Sequence, residues 1–200
     1  MINKNKVYTY IAASLAIIMG VPGRIAWGIL MLIHFNVLIA LTTLLTHALR
    51  RLEIESMRAG LIAVEIIALT VLYKQILSII CPIAALTLGF SLYLPAASSV
   101  IMTILVSSSF NDLKTDMAEK MKDALVITGF CISLFVIRDI FGFSTITLPS
   151  WQNIIVIKIP VLFSSLPFAS FIATIPGGLI ITALVLLLIT KLSSRGEENV

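Results

Sequence analysis

Residues 59–110 read AGLIAVEIIALTVLYKQILSIICPIAALTLGFSLYLPAASSVIMTILVSSSF. This 52-residue stretch holds only two charges, Glu65 and Lys74. A helix needs about 20 apolar residues to cross a bilayer, so two crossings use about 40. The surplus must form a turn or irregular backbone. Pro82 and Pro95 are the break points, because proline removes a backbone donor and restricts the residue before it. Within the second half, 92–105 (LYLPAASSVIMTIL) places a proline, two alanines and two serines inside an apolar run. That pattern predicts a half-helix opening near Pro95, with small side chains that let another backbone approach. The first-turn N–H groups of such a half-helix would point a positive dipole end inward at Ser98 and Ser99.

The rest of the 200-residue chain agrees with a membrane setting. It is 59% hydrophobic and 12% charged, with a mean hydropathy of +1.09. Soluble domains carry about twice that share of charge, about 25%. No shift in composition marks a second domain. The net charge is +4, but the basic residues lie between apolar segments and not on one face, which speaks for topology control and against nucleic acid. Cys81 and Cys131 both lie in apolar segments, without metal-ligand spacing. The N-terminus, MINKNKVYTYIAASLAIIMGVPG, has the outline of a signal peptide but no convincing cleavage site. A retained first helix is expected.

Six segments follow from the apolar runs. Segment one, about Val7 to Val21, reaches only about 22 Å and is short for a crossing of about 30 Å. Pro22-Gly23-Arg24 ends it. Segment two runs Ile25–Leu49 and stops at Arg50-Arg51. Segments three and four share 59–110. Residues 111–123, NDLKTDMAEKMKD, read as a polar loop whose Met117, Met121 and Leu125 would also suit a surface helix. Segment five is Ala124–Ile137. The turn-rich RDIFGFSTITLPSWQN comes next, then IIVIKIPVLFSSLPF, read as interfacial or re-entrant with Trp151 and Lys158 near a membrane surface. Segment six opens at Ile175-Pro176-Gly177-Gly178 and ends at Lys191, leaving 191–200 as a tail.

Lys and Arg counts set the expected orientation. With six spans, both termini and the 2–3 and 4–5 loops share one side, which carries ten basic residues against four on the other. Both termini, the 111–123 loop and the 191–200 tail are therefore expected in the cytoplasm. Six spans divide into two inverted three-helix repeats, and the interrupted segments one and four hold corresponding places. That is the arrangement in which a site lies at the bilayer midplane. The expected fold class is an all-α membrane protein in a single domain.

Several intramembrane polar residues are candidates for chemistry. Glu65 is either a proton or cation site or a structural hydrogen-bonding group, the second being the commoner case. His34 and Asn36, with Thr42 and Thr43 beyond, either line a polar path with Glu65 or bind helices together. Pro95, Ser98 and Ser99 mark the half-helix site. His47 is expected at the interface. Arg138-Asp139 reads as a solvated helix terminus, or as a local ion pair. No phosphate loop, dinucleotide fingerprint, metalloprotease helix or nucleophile–base pairing occurs.

Three motifs in order resemble the Rnf/Nqr group of integral membrane subunits, RnfA/NqrE and RnfE/NqrD. LYLPAASSVIMTILV (92–106) resembles that family's F-L-P segment opening helix four. VIRDIFGFSTIT (136–147) resembles its R-E-[IL]-x-G-x-G-[ST]-L segment after helix five. IPGGLIITALVLLLI (175–189) is similar to its P-P-G-A-F-[IL] opening of helix six, and RRLEIESMRAG (50–60) sits where the family places its 2–3 loop. The resemblance covers about residues 25–190 and is nearer the RnfE/NqrD orientation. It implies a subunit of an ion-translocating electron-transport complex in the bacterial inner membrane, multi-pass, beside an inverted-topology homologue, other membrane subunits and lipid. It would be at most a non-catalytic part of a redox-driven pump. The family holds a 2Fe–2S centre through cysteines in half-helices one and four. Residues 1–80 here have no cysteine, and the position in helix four falls near Ser99-Val100-Ile101. The resemblance therefore implies the fold and complex membership with no cofactor ligand in this chain. Two other readings stay open: a small secondary transporter or channel with a midplane half-helix site, and a purely structural membrane subunit.

Overall fold

The computed structural model describes residues 10, 13–15, 17–50, 57–98, 112–151, 153–159 and 171–195. Residues 13–15 and 17–19 are helical. Helix α1 spans Ile25–Arg50, α2 Arg58–Ile80, α3 Pro82–Leu88 and α4 Leu94–Ala97, with a 3-10 turn at Gly89–Tyr93 between the last two. Helix α5 spans Leu113–Phe143, strands β1 and β2 span Thr145–Pro149 and Ile154–Lys158, and α6 spans Ile175–Arg195.

Three helices, α1, α2 and α5, are long and apolar enough to cross a bilayer, which fits a membrane protein. At 1.5 Å per residue they reach about 39, 35 and 47 Å against a hydrocarbon core of about 30 Å. Their side chains divide into two sets. Met31, Phe35, Leu38 and Ile39 of α1, Ile62 and Ile66 of α2, and Ile127, Leu134 and Phe135 of α5 are buried in one core. Ile33, Val37 and Leu44 of α1 and Val64, Ile67 and Leu72 of α2 are exposed and equally apolar. In water that pattern would be costly; against acyl chains it costs nothing.

Residue pairs fix how the helices run. Ile25 meets Asp139, Gly28 meets Phe135 and Asn36 meets Thr128. The two numbers in each pair add to nearly the same value, so α1 and α5 are antiparallel. Leu30 meets Tyr73 and His34 meets Thr70 in the same manner, so α2 also runs against α1. All three helices cross one layer, with the starts of α1 and α6 and the end of α5 at one edge.

The proline breaks behave as the sequence requires. Cys81 leaves helical geometry (φ −143°, ψ 85°), and Pro82 opens α3 at a first-turn position. The chain then turns back, since the Tyr93 ring lies 5.8 Å from Lys74 Nζ. Gly89 takes a positive φ of 32° between α3 and the 3-10 turn, a conformation that favours glycine. Pro95 lies at the first turn of α4, and Ser98 follows it in extended backbone. Ser99 and the rest of the expected half-helix lie outside the described residues.

Two expectations are corrected. Residues 113–123 are not a loop: α5 begins at Leu113 and is continuous, because Asp116, Lys120 and Ala124 repeat at helical spacing on a buried face. The fold is mostly helical, as expected, but not helical throughout. Residues 145–158 form an antiparallel hairpin in the register Thr145↔Lys158 to Pro149↔Ile154. The turn formers of TLPSWQN and the β-branched run IIVIK explain it. Helix α5 stops at Ser144, whose left-handed backbone (φ 51°) sends its N–H back to the Ile140 carbonyl.

Candidate functional site

Two polar layers cross the bundle. The first lies where the interrupted segments meet. Gly20 ends the helical run 17–19, and its carbonyl accepts from the Ser91 hydroxyl in the 3-10 turn. A Cβ on Gly20 would strike the Leu94 side chain and come within 3.2 Å of Ser91 Cβ, so the segments meet where only glycine fits. The neighbouring Leu92 backbone lies beside His34. The His34 ring packs 4.6 Å from the Tyr73 ring, and its Nε2 lies 3.4 Å from Thr70 Oγ1. Tyr73 donates to the Leu30 carbonyl at 2.7 Å. His34 is the tenth residue of the 26-residue α1, while Gly20 adjoins Val21, whose carbonyl belongs to the second layer.

The other sequence candidates do not share this wall. Asn36 is about 200° round α1 from His34, at the spacing of 100° per residue. It faces α5, donating to Thr128 Oγ1 at 2.8 Å and to the Leu32 carbonyl at 2.7 Å. Glu65 lies on the flank of α2, half-buried, with its Oε2 buried and unbonded among the described residues. Thr42 and Thr46 face the middle of the buried arc of α1, each with a hydroxyl oxygen unbonded among the described residues. Thr43 satisfies itself on the Ile39 carbonyl. His47 is half-buried near the end of α1.

The second layer corrects the reading of Arg138-Asp139. Neither is solvated: they are 1% and 0% exposed. Arg138 sends its guanidinium to three carbonyls, Val21 at 3.4 Å, Ala173 at 3.2 Å and Thr174 at 3.3 Å. Gly23 and Gly178 are needed around it, since a Cβ at either would come within 3.1 Å of Arg138 Nε. Asp139 turns the other way. Its Oδ2 accepts from Ile25 N at 3.2 Å, Thr147 N at 2.8 Å and Thr147 Oγ1 at 2.7 Å, and its Oδ1 accepts from Thr145 Oγ1 at 2.8 Å. Thr147 Oγ1 in turn accepts from Ala26 N at 3.2 Å. The first two N–H groups of α1 are thereby capped by side chains more than 110 residues away, and a carboxylate stands at the positive end of the helix dipole.

This node joins VPG (21–23), RD (138–139), STIT (144–147) and the approach to IPGG (175–178). The spacing of these motifs along the chain gave no sign that they meet. The signal was available in part: two glycine-flanked breaks and one charged pair at a span end are what a buried cation and its carbonyl ligands need. Cys81 and Cys131 are buried free thiols, one at the α2–α3 break and one inside α5. Among the described residues no three His, Cys, Asp or Glu side chains gather in a way that could hold a metal ion. No family model, curated protein or solved structure matches this chain.

Proposed function

We propose that the chain is a membrane subunit of an Rnf/Nqr-like, ion-translocating electron-transport complex in the bacterial inner membrane. It supplies scaffold and part of an ion path. The observation that carries this reading is the meeting of the two interrupted segments at Gly20 and Ser91, beside His34. Interrupted helices that meet inside a bundle are how membrane transport proteins build a site. The node at Arg138 adds support, because it ties together two of the three motifs on which the resemblance rests. Six spans in two inverted repeats, with both termini cytoplasmic, belong to the same reading.

An iron–sulfur centre needs thiolates. The two cysteines here are buried at the α2–α3 break and inside α5, and the segment that meets Ser91 offers a glycine carbonyl. These residues do not fit a cluster at the crossing, so the proposal assigns this chain no cluster ligand. The ion path is assigned to Glu65, whose Oε2 is buried without a partner among the described residues. Glu65→Gln is therefore expected to weaken ion coupling in reconstituted complex while leaving assembly intact. Unchanged transport in that variant would remove Glu65 from the path.

A second reading, a small secondary transporter or channel, is favoured by the polar lining of the crossing itself: His34, Thr70, Tyr73 and Ser91. Purification from mild detergent separates the two. The first reading expects co-purifying membrane subunits together with flavin- and iron–sulfur-binding ones. A lone homo-oligomer that conducts ions in liposomes would replace it with the second.

A further inference from the structure

The hairpin 145–158 has a surface that neither proposed function uses. Consecutive residues of a strand point to opposite faces. In β2, Ile155, Val156 and Ile157 are 50%, 44% and 49% exposed, so both faces of the strand are uncovered. Trp151, in the turn between the strands, is 71% exposed. A two-stranded hairpin apolar on both faces is a poor structure in water. Its inner strand is nevertheless fixed. Thr147 is buried and bonded to Asp139 and to the first turn of α1, the place where two spans end. The hairpin therefore stands at the boundary of the hydrocarbon layer. Cations flank its base. Lys158 is exposed opposite Thr145, and the Arg24 guanidinium lies 5.0 Å over the ring of Phe143, two residues before β1.

We infer that the hairpin is a lipid-interface anchor. Trp151 and the three apolar residues of β2 sit among headgroups and upper acyl segments, and Arg24 and Lys158 face lipid phosphate. Tryptophan with flanking Lys or Arg is the composition that the interface selects. Two-faced exposure favours lipid over a protein partner, because lipid surrounds a strand, whereas a docked surface covers one face and leaves the other wet. The inference does not depend on the redox reading.

The test is the emission of Trp151 alone, taken as the difference between wild-type protein and Trp151→Phe. Both are reconstituted in phosphatidylcholine–phosphatidylglycerol vesicles whose acyl chains are brominated near the headgroup. This substitution keeps an aromatic ring at an exposed turn and leaves the fold alone. The expected result is a Trp151 component reduced about twofold or more by brominated lipid and insensitive to aqueous iodide. Quenching by iodide without quenching by bromine would put the hairpin in water and overturn the inference. Quenching by neither would put it under protein and overturn it equally.

Discussion

Replacing Asp139 with alanine is expected to lower stability by about 3–5 kcal/mol, the cost of removing one side of a buried charge arrangement. Four donors lose their acceptor at once: Ile25 N, Thr147 N, Thr147 Oγ1 and Thr145 Oγ1. Arg138 keeps its three carbonyls but loses the buried carboxylate next to it in sequence. Asparagine is expected to cost much less. Its amide oxygen can stay with the three donors on the Oδ2 side, and its NH₂ can donate to Thr145 Oγ1. Thermal unfolding in detergent micelles measures both. Equal midpoints for wild type and the alanine variant would mean that the node does not hold the spans together.

The second large effect is expected at Gly28, where α1 lies against α5. A Cβ there would collide with the ring of Phe135, which is 1% exposed and has nowhere to move. Gly28→Leu should therefore cost about 3 kcal/mol from overpacking. Phe135→Ala alone should cost a similar amount from its cavity. The double variant should be more stable than the sum of the two predicts, by about 1–2 kcal/mol, because the leucine fills the space that the ring leaves. Strict additivity in the cycle would show that the two positions do not touch.

Much of this fold was legible in the sequence. The starts of α1 and α6 and the end of α2 follow from Pro22-Gly23, Ile175-Pro176 and Cys81-Pro82, where a missing N–H or a glycine stops a helix; α6 runs on to Arg195, past the expected end at Lys191. The close approach was expected after Pro95, at Ser98 and Ser99; the contact described is earlier, between Gly20 and Ser91 with Leu94. Other parts were not legible, for physical reasons. Arg138 and Asp139 are adjacent in sequence, which reads as a surface pair, yet each serves partners contributed by distant segments. Helical neighbours point about 100° apart, so adjacency says little about a shared site. The hairpin was hidden because a β-branched apolar run looks the same whether lipid or a strand partner takes it up. His34 and Asn36 looked like one wall because they are two apart, but that spacing puts them on opposite sides of a helix.

The observation that carries the proposed function is the crossing of the interrupted segments. A disulfide tests it directly. Gly20 and Ser91 present Cβ positions 3.2 Å apart, near the spacing that a disulfide uses. Leu94 occupies the space a side chain on Gly20 would need, so Leu94→Ala is added. The variant Gly20→Cys, Ser91→Cys, Leu94→Ala, oxidised mildly in native membranes, is expected to form the intramolecular bond rapidly. A control with Met19→Cys in place of Gly20→Cys should not, because Met19 is exposed on the outer side. Thiols that stay reduced in the first variant, or equal rates in both, would contradict the crossing and the site built on it.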